Sequence, residues 1–121
     1  MRPATSQRGA AAERFAEAHL KAHGLATLAR NYRCPGGELD LVMRDGVTLV
    51  FVEVRMRTTR GFGGAEASVD ARKRARIARC AAHYLQKGHG PREAPCRFDV
   101  VALYPAGEQY DVNWIRAAFT L

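Results

Sequence analysis

A single α/β domain, with helices packed on a mixed sheet, is the fold class this sequence predicts, and three observations predict it. The chain has 121 residues, enough for one core and too few for two full domains. Two segments carry apolar residues at helical spacing. Between and after them lie runs of alternating or continuous apolar residues bounded by glycine and proline, which give the order helix, three strands, helix, strand and a mixed tail. A composition of 47% hydrophobic and 26% charged residues is globular, and no apolar run reaches the roughly 18 residues of a membrane span.

The first helix is expected from Gln7 to His23, where Ala11, Phe15, Ala18 and Ala22 recur at helical steps and Ala12, Ala16 and Leu20 widen the stripe. Gly24 closes it. Ala26 to Cys34 reads as a short, irregular strand ended by Pro35, Gly36 and Gly37. Glu38 to Arg44 alternates Leu39, Leu41 and Met43 with Glu38, Asp40, Val42 and Arg44. Val47 to Met56 is apolar on both faces from Leu49 to Val52, as in a central strand, and Asp45 and Gly46 are the expected hairpin turn. Arg57 to Ala67 has three glycines and no period, which predicts a mobile basic loop. Asp70 is the expected N-cap of a second helix that runs to about Gln86, with Ile77, Ala81, Tyr84 and Leu85 on one face and Gly88 beyond. A strand from Arg97 to Tyr104 follows. In the tail, Tyr110, Val112 and Trp114 favour a strand, whereas Ile115 to Phe119 suit a short terminal helix.

Residues 1–12 lead into Glu13, Arg14 and Glu17 without an apolar run or small-residue cleavage site, so a cytoplasmic protein is expected. Cys34, Cys80 and Cys96 are odd in number, widely spaced and never paired as C-x-x-C, so neither a disulfide framework nor a zinc site is readable. Cys80 is expected in the core. Nineteen basic against twelve acidic side chains leave a net charge of +7, an excess that a phosphate backbone rewards.

With Asp45 and Gly46 in the turn, Glu38 is expected opposite Glu53 and Asp40 diagonal to it. Residues two apart share a face, so Glu38, Asp40, Glu53 and Arg55 project from one side of the sheet, and Leu39, Leu41, Met43, Val50 and Val52 from the other. Carboxylates so close repel, and one in an apolar strand is costly unless paired. The bland solution is an internal salt-bridge cluster with nearby arginines. The functional one is a divalent metal, Mg²⁺ or Mn²⁺, held by hard oxygen ligands from adjacent strands.

The runs Gly37-Glu38-Leu39-Asp40-Leu41 and Phe51-Val52-Glu53-Val54-Arg55 resemble the nuclease motif written PD-(D/E)xK. Together with Gly9 to Arg14, Arg30-Asn31-Tyr32-Arg33, Lys73, Ala81 to Leu85 and Arg97-Phe98-Asp99-Val100, the chain resembles the YraN family of bacterial proteins, which is related to archaeal Holliday junction resolvases. That resemblance implies a restriction-endonuclease-like fold. It also implies Asp40 and Glu53 as metal ligands, the carbonyl of Val54 as a further one, and Glu13 reaching in from the first helix. Helix geometry agrees, since Glu13 falls at the edge of the apolar stripe and Glu17 in the middle of the polar face, where it is expected to be solvated. Glu38 is either an additional ligand or the partner of a base.

Arg55 stands where the nuclease motif has lysine. A guanidinium stays protonated and cannot act as a general base, but it can orient water or stabilise charge on a phosphate. Three functions remain open: a metal-dependent nuclease with Glu13, Asp40, Glu53 and Arg55 as its catalytic set, a nucleic-acid-binding protein with a degenerate site, or an interaction protein whose basic face serves a partner protein. Arg72, Lys73, Arg74 and Arg76 crowd cations into the first two turns of the second helix, where the dipole disfavours them and a bound phosphate would offset that cost. Arg57, Arg60, Arg72, Lys73 and Arg76 are accordingly the expected contacts to nucleic acid, with DNA the first candidate and backbone or shape rather than base sequence recognised. A resolvase-like role implies a two-fold homodimer. His19 and His23 lie one turn apart but lack a third metal ligand, Tyr110 and Trp114 suit the core or an interface, and Asp99 is placed either to act in the site or to hold an arginine of the loop or helix.

Overall fold

A computed structural model of the protein describes residues 4–58, 69–90 and 93–120. Seven elements follow in the order α1 (Ala4–Ala22), β1 (Ala26–Cys34), β2 (Gly37–Asp45), β3 (Thr48–Met56), α2 (Ala71–Gln86), β4 (Cys96–Ala106) and β5 (Gln109–Phe119). The strands form one mixed sheet in sequence order. All neighbours are antiparallel except β3 and β4, which α2 connects in parallel. This α/β architecture is the one the sequence predicts, and it is consistent with a restriction-endonuclease-like fold. Among the described residues no helix is long and apolar enough to cross a membrane.

The helices cover opposite faces of the sheet. On one face Ala12, Ala16 and Leu20 of α1 pack on Leu41, Met43, Val50, Val52, Val101 and Leu103. On the other, Ile77, Cys80, Ala81 and Tyr84 of α2 pack on Val42, Leu49, Phe51, Phe98 and Val100. The two sides of β3 thus serve two cores, as its unbroken apolar run requires. Leu39 departs from the expected alternation: it joins the α2-side cluster, next to the point where β2 stops pairing with β3.

Several expectations are corrected. The stripe of α1 is Ala12, Ala16 and Leu20, while Ala11, Ala18 and Ala22 are exposed, because fully buried Leu20 and not the alanines decides which face turns inward. Glu17 is buried, because Thr27 and Arg30 of β1 reach over to it: Thr27 Oγ1 donates to Glu17 Oε2, and Arg30 grips both oxygens through Nε at 2.8 Å and Nη2 at 2.7 Å. The hairpin turn is Gly46-Val47, with Asp45 facing Thr48, because Gly46 takes the positive φ of 61° that the first position of the turn demands. The tail is strand throughout to Phe119, paired to β4, with no terminal helix. Cys34 and Cys80 form a disulfide. Forty-six positions apart in sequence, their Cα atoms come within 5.4 Å when α2 docks across the end of β1.

The N-cap prediction holds: Asp70 Oδ1 accepts from Lys73 N at 2.9 Å. Of the segment from Arg57 to Ala67 read as a mobile basic loop, residues 59–67, Arg60 among them, lie outside the described residues.

Candidate active site

β2 pairs with β3 from Asp45↔Thr48 up to Leu41↔Val52, and the ladder then opens. One step on, the register aligns Asp40 with Glu53 directly, not diagonally as the predicted turn required, and Glu38 is carried beyond Glu53. In place of a ladder bond, the amide of Val54 donates to Asp40 Oδ2 at 2.8 Å, so the open end of the hairpin is closed by a carboxylate whose position the backbone fixes.

Asp40 and Glu53 lie side by side at the end of the hairpin, within reach of a carboxyl-to-carboxyl hydrogen bond. Burial, followed by this bond and the charge of Glu53, raises the pKa of Asp40 to about 8, against the smaller opposing pull of the Val54 amide and of Lys73. Asp40 therefore keeps a proton at neutral pH when no cation joins it. Glu53 is almost wholly buried, and Lys73 Nζ approaches its Oε2 at 3.8 Å.

Glu13 is half-buried on α1 and lines a separate hollow with Arg14, Glu17, Arg30 and Asn31. Desolvation raises its pKa first, and the negative charges of Asp40 and Glu38 add to the rise, while a hydrogen bond from Asn31 opposes it. Asn31 Nδ2 donates to Glu13 Oε1 at 2.8 Å from a backbone with φ of 49°, a conformation asparagine tolerates better than most residues. The sequence reading missed this support. Its only trace there is an asparagine inside an otherwise ordinary strand, at a place where β1 is irregular.

Asp40 and Glu53 form the floor of a cleft of about 300 Å³, with Glu38 and Gly37 on one side and Lys73, Arg76 and Ile77 of α2 on the other. Of the expected site residues, the structure brings together Asp40 and Glu53, sets Glu38 at the cleft edge 3.8 Å from Arg33, adds Lys73 and Arg76 from α2, and leaves Glu13 outside the residues that line the cleft. Arg55 is half-buried on β3 and is not among the residues that line the cleft. Arg57 and Arg72 are described outside it. Asp99, expected in the site or on an arginine of the loop or helix, instead anchors Arg97 of its own strand. His19 and His23 meet each other and the edge of Trp114.

Among the described residues no three side chains of ligand type are gathered closely enough to hold a metal ion. The Asp40 and Glu53 pair nonetheless fits the demands of magnesium, which is held through one or two carboxylates and completes its shell with water and phosphate oxygens. A buried carboxyl that keeps its proton beside a second acid is what a divalent cation would relieve.

Comparison with known proteins gives a family but no activity. A model described as "Uncharacterised protein family UPF0102" matches residues 12–103. A UPF0102 protein of Nitrosospira multiformis is 53% identical over 112 residues, covering 93% of this chain and 92% of that protein. One of Cupriavidus necator is 56% identical over 117 residues, 95% of this chain and 84% of the relative. One of Pseudomonas entomophila is 52% identical over 112 residues, covering 92% and 91%.

Proposed function

The chain belongs to the uncharacterised protein family UPF0102, and from the site it builds we propose that it is a Mg²⁺- or Mn²⁺-dependent nuclease that cuts phosphodiester bonds of nucleic acid, DNA in the first instance. The observation that carries this reading is the placing of Asp40 and Glu53 side by side at the floor of a cleft whose α2 wall is cationic. The floor suits a divalent ion and the wall suits a phosphate, and phosphodiester hydrolysis needs both at one place. The resemblance of Gly37 to Leu41 and of Phe51 to Arg55 to the nuclease motif, and the net charge of +7, point the same way.

A bound ion would polarise a phosphate oxygen and make hydroxide available from water near neutral pH. The chain supplies the rest. Asp40 and Glu53 hold the ion with the Val54 carbonyl, and the Val54 amide keeps Asp40 from turning away. Glu13, steadied by Asn31, adds negative charge from the α1 side, with Glu38 as a further oxygen donor at the edge. Arg57, Arg60, Arg72 and Arg76 draw in the phosphate backbone, and Arg55, outside the cleft lining, adds positive charge nearby without acting as a base. Cutting two strands symmetrically would require a two-fold homodimer.

The test is cleavage of labelled duplex, single-stranded and four-way-junction DNA with Mg²⁺ or Mn²⁺, for wild type and Asp40→Asn, with binding measured over a range of salt. Metal-dependent cutting that falls about a hundredfold or more in the variant is expected, with binding that weakens steeply as salt rises. Salt-sensitive binding without cutting on any substrate would make the protein a binding module. A flat salt response would remove nucleic acid from the account.

A further inference from the structure

Lys73 has a place in this cleft that the crowd of cations around it does not share. Its backbone is fixed in the first turn of α2, where its amide donates to the Asp70 cap at 2.9 Å. Lys73, Ile77, Cys80 and Tyr84 follow one another at helical steps of four, three and four, and the last three are buried against the sheet. Lys73 therefore continues the seated face of α2 to the point where the sheet stops being apolar and presents Glu53. Its side chain is 30% exposed and its Nζ lies 3.8 Å from Glu53 Oε2.

That separation is an ion-pair distance but too long for a good hydrogen bond. The ammonium is attracted without being locked, and it has three donors on a flexible four-carbon stem. Its charge also acts on Asp40, as the smallest of the influences there, while its ion pair is with Glu53. Arg76, the other cation of the cleft wall, makes no such approach to the carboxylates among the contacts of the described residues.

Building on the metal-dependent reading above, we propose that Lys73 is the resident cation of the Asp40 and Glu53 pair, holding those carboxylates in the metal-free protein and turning to the phosphate of the substrate once a divalent ion neutralises them. Neutralisation of the acids removes what holds the ammonium at Glu53. The nearest strong anion is then the phosphate in the same cleft, and the stem lets the ammonium reach it while the Asp70 cap keeps the backbone still. Lys73 thus touches substrate, whereas Asp70 positions it.

The experiment is Mn²⁺ titration by calorimetry on wild type, Lys73→Met, Lys73→Arg, Asp40→Asn and, as a control for lost charge at the far end of α2, the C-cap variant Lys87→Ala, with DNA cleavage measured in parallel. Methionine keeps the stem and removes the charge. Lys73→Met is expected to bind Mn²⁺ about tenfold more tightly, because a competing positive charge is gone, and yet to cleave about a hundredfold more slowly. Lys73→Arg should bring the Mn²⁺ affinity back toward wild type, and Lys87→Ala should change neither quantity. If wild type binds Mn²⁺ and Asp40→Asn does not, but Lys73→Met binds it no more tightly, the role of Lys73 is overturned and the metal site stands. If neither wild type nor Lys73→Met binds Mn²⁺, the metal-dependent reading falls and this inference with it.

Discussion

At Asp40 one carboxyl meets two opposing demands: it must be pinned for chemistry, and it must survive beside Glu53 without a metal. The Val54 amide does the pinning, and a retained proton relieves the repulsion. Because the folded pKa is raised to about 8 from an unfolded value near 3.8, the folded state binds the extra proton. The stability this group contributes is therefore complete below pH 4 and is lost as pH rises through 8. Glu17, lowered by Arg30, works in the opposite sense and loses its contribution as pH falls through the acid range. Thermal melts without metal should accordingly show Asp40→Asn gaining on wild type as pH rises from 5 to 9, and Mn²⁺ should close that gap by raising wild type alone. A gap that stays constant with pH would mean that Asp40 carries no retained proton. Asp40 and Glu53 were legible in the sequence because residues two apart share a face of a strand. Their direct opposition was not, because the glycine of Asp45-Gly46-Val47 sits first in the turn rather than second, and the slip moves every facing pair.

At the level of elements, the central strands and the capped second helix were readable, while the edges were not. The first helix was misjudged because alanines dominate it and bury too little area to declare a face; Leu20 declares it instead. The last strand was ambiguous because its continuation depends on a side chain from β4. Asp99 has no exposed side-chain surface and receives Arg97 Nε at 2.9 Å, Arg97 Nη2 at 3.0 Å, Trp114 Nε1 at 2.9 Å and the amide of Ala117 at 3.0 Å. It serves as the missing backbone partner where the register between β4 and β5 shifts and Ala117 adopts a φ of 49°. Local propensity carries no sign of such an anchor. Asp99→Ala would leave an indole N–H and a strand amide without their acceptor and the Arg97 guanidinium with Asp45 alone, and should cost about 3–5 kcal/mol in urea unfolding. A loss well under 1 kcal/mol would show that β5 is held by its ladder alone.

Across the whole molecule, two helices on opposite faces of one sheet both reach the point where β2 leaves β3, α1 with Glu13 and α2 with Lys73. That convergence was legible only in part, since the helices could be placed in order but not docked from their patterns. The Cys34 to Cys80 bond shows the same limit: two cysteines without a motif become partners only because the fold brings them together. It has a topological consequence. The chain from Cys34 to Cys80 is a covalent ring, and Glu38, Asp40, Glu53, Arg55, Lys73 and Arg76 all lie on it, whereas Glu13 comes from the linear segment outside. Closing a ring of this size restricts the unfolded chain by about 4 kcal/mol, so reducing agent should lower the urea midpoint clearly. A single tryptic cut after Arg57 would open the ring without releasing either piece: the nicked protein should run as one species on a non-reducing gel and as two after reduction, the carboxylates of Asp40 and Glu53 on one fragment and the amine of Lys73 on the other.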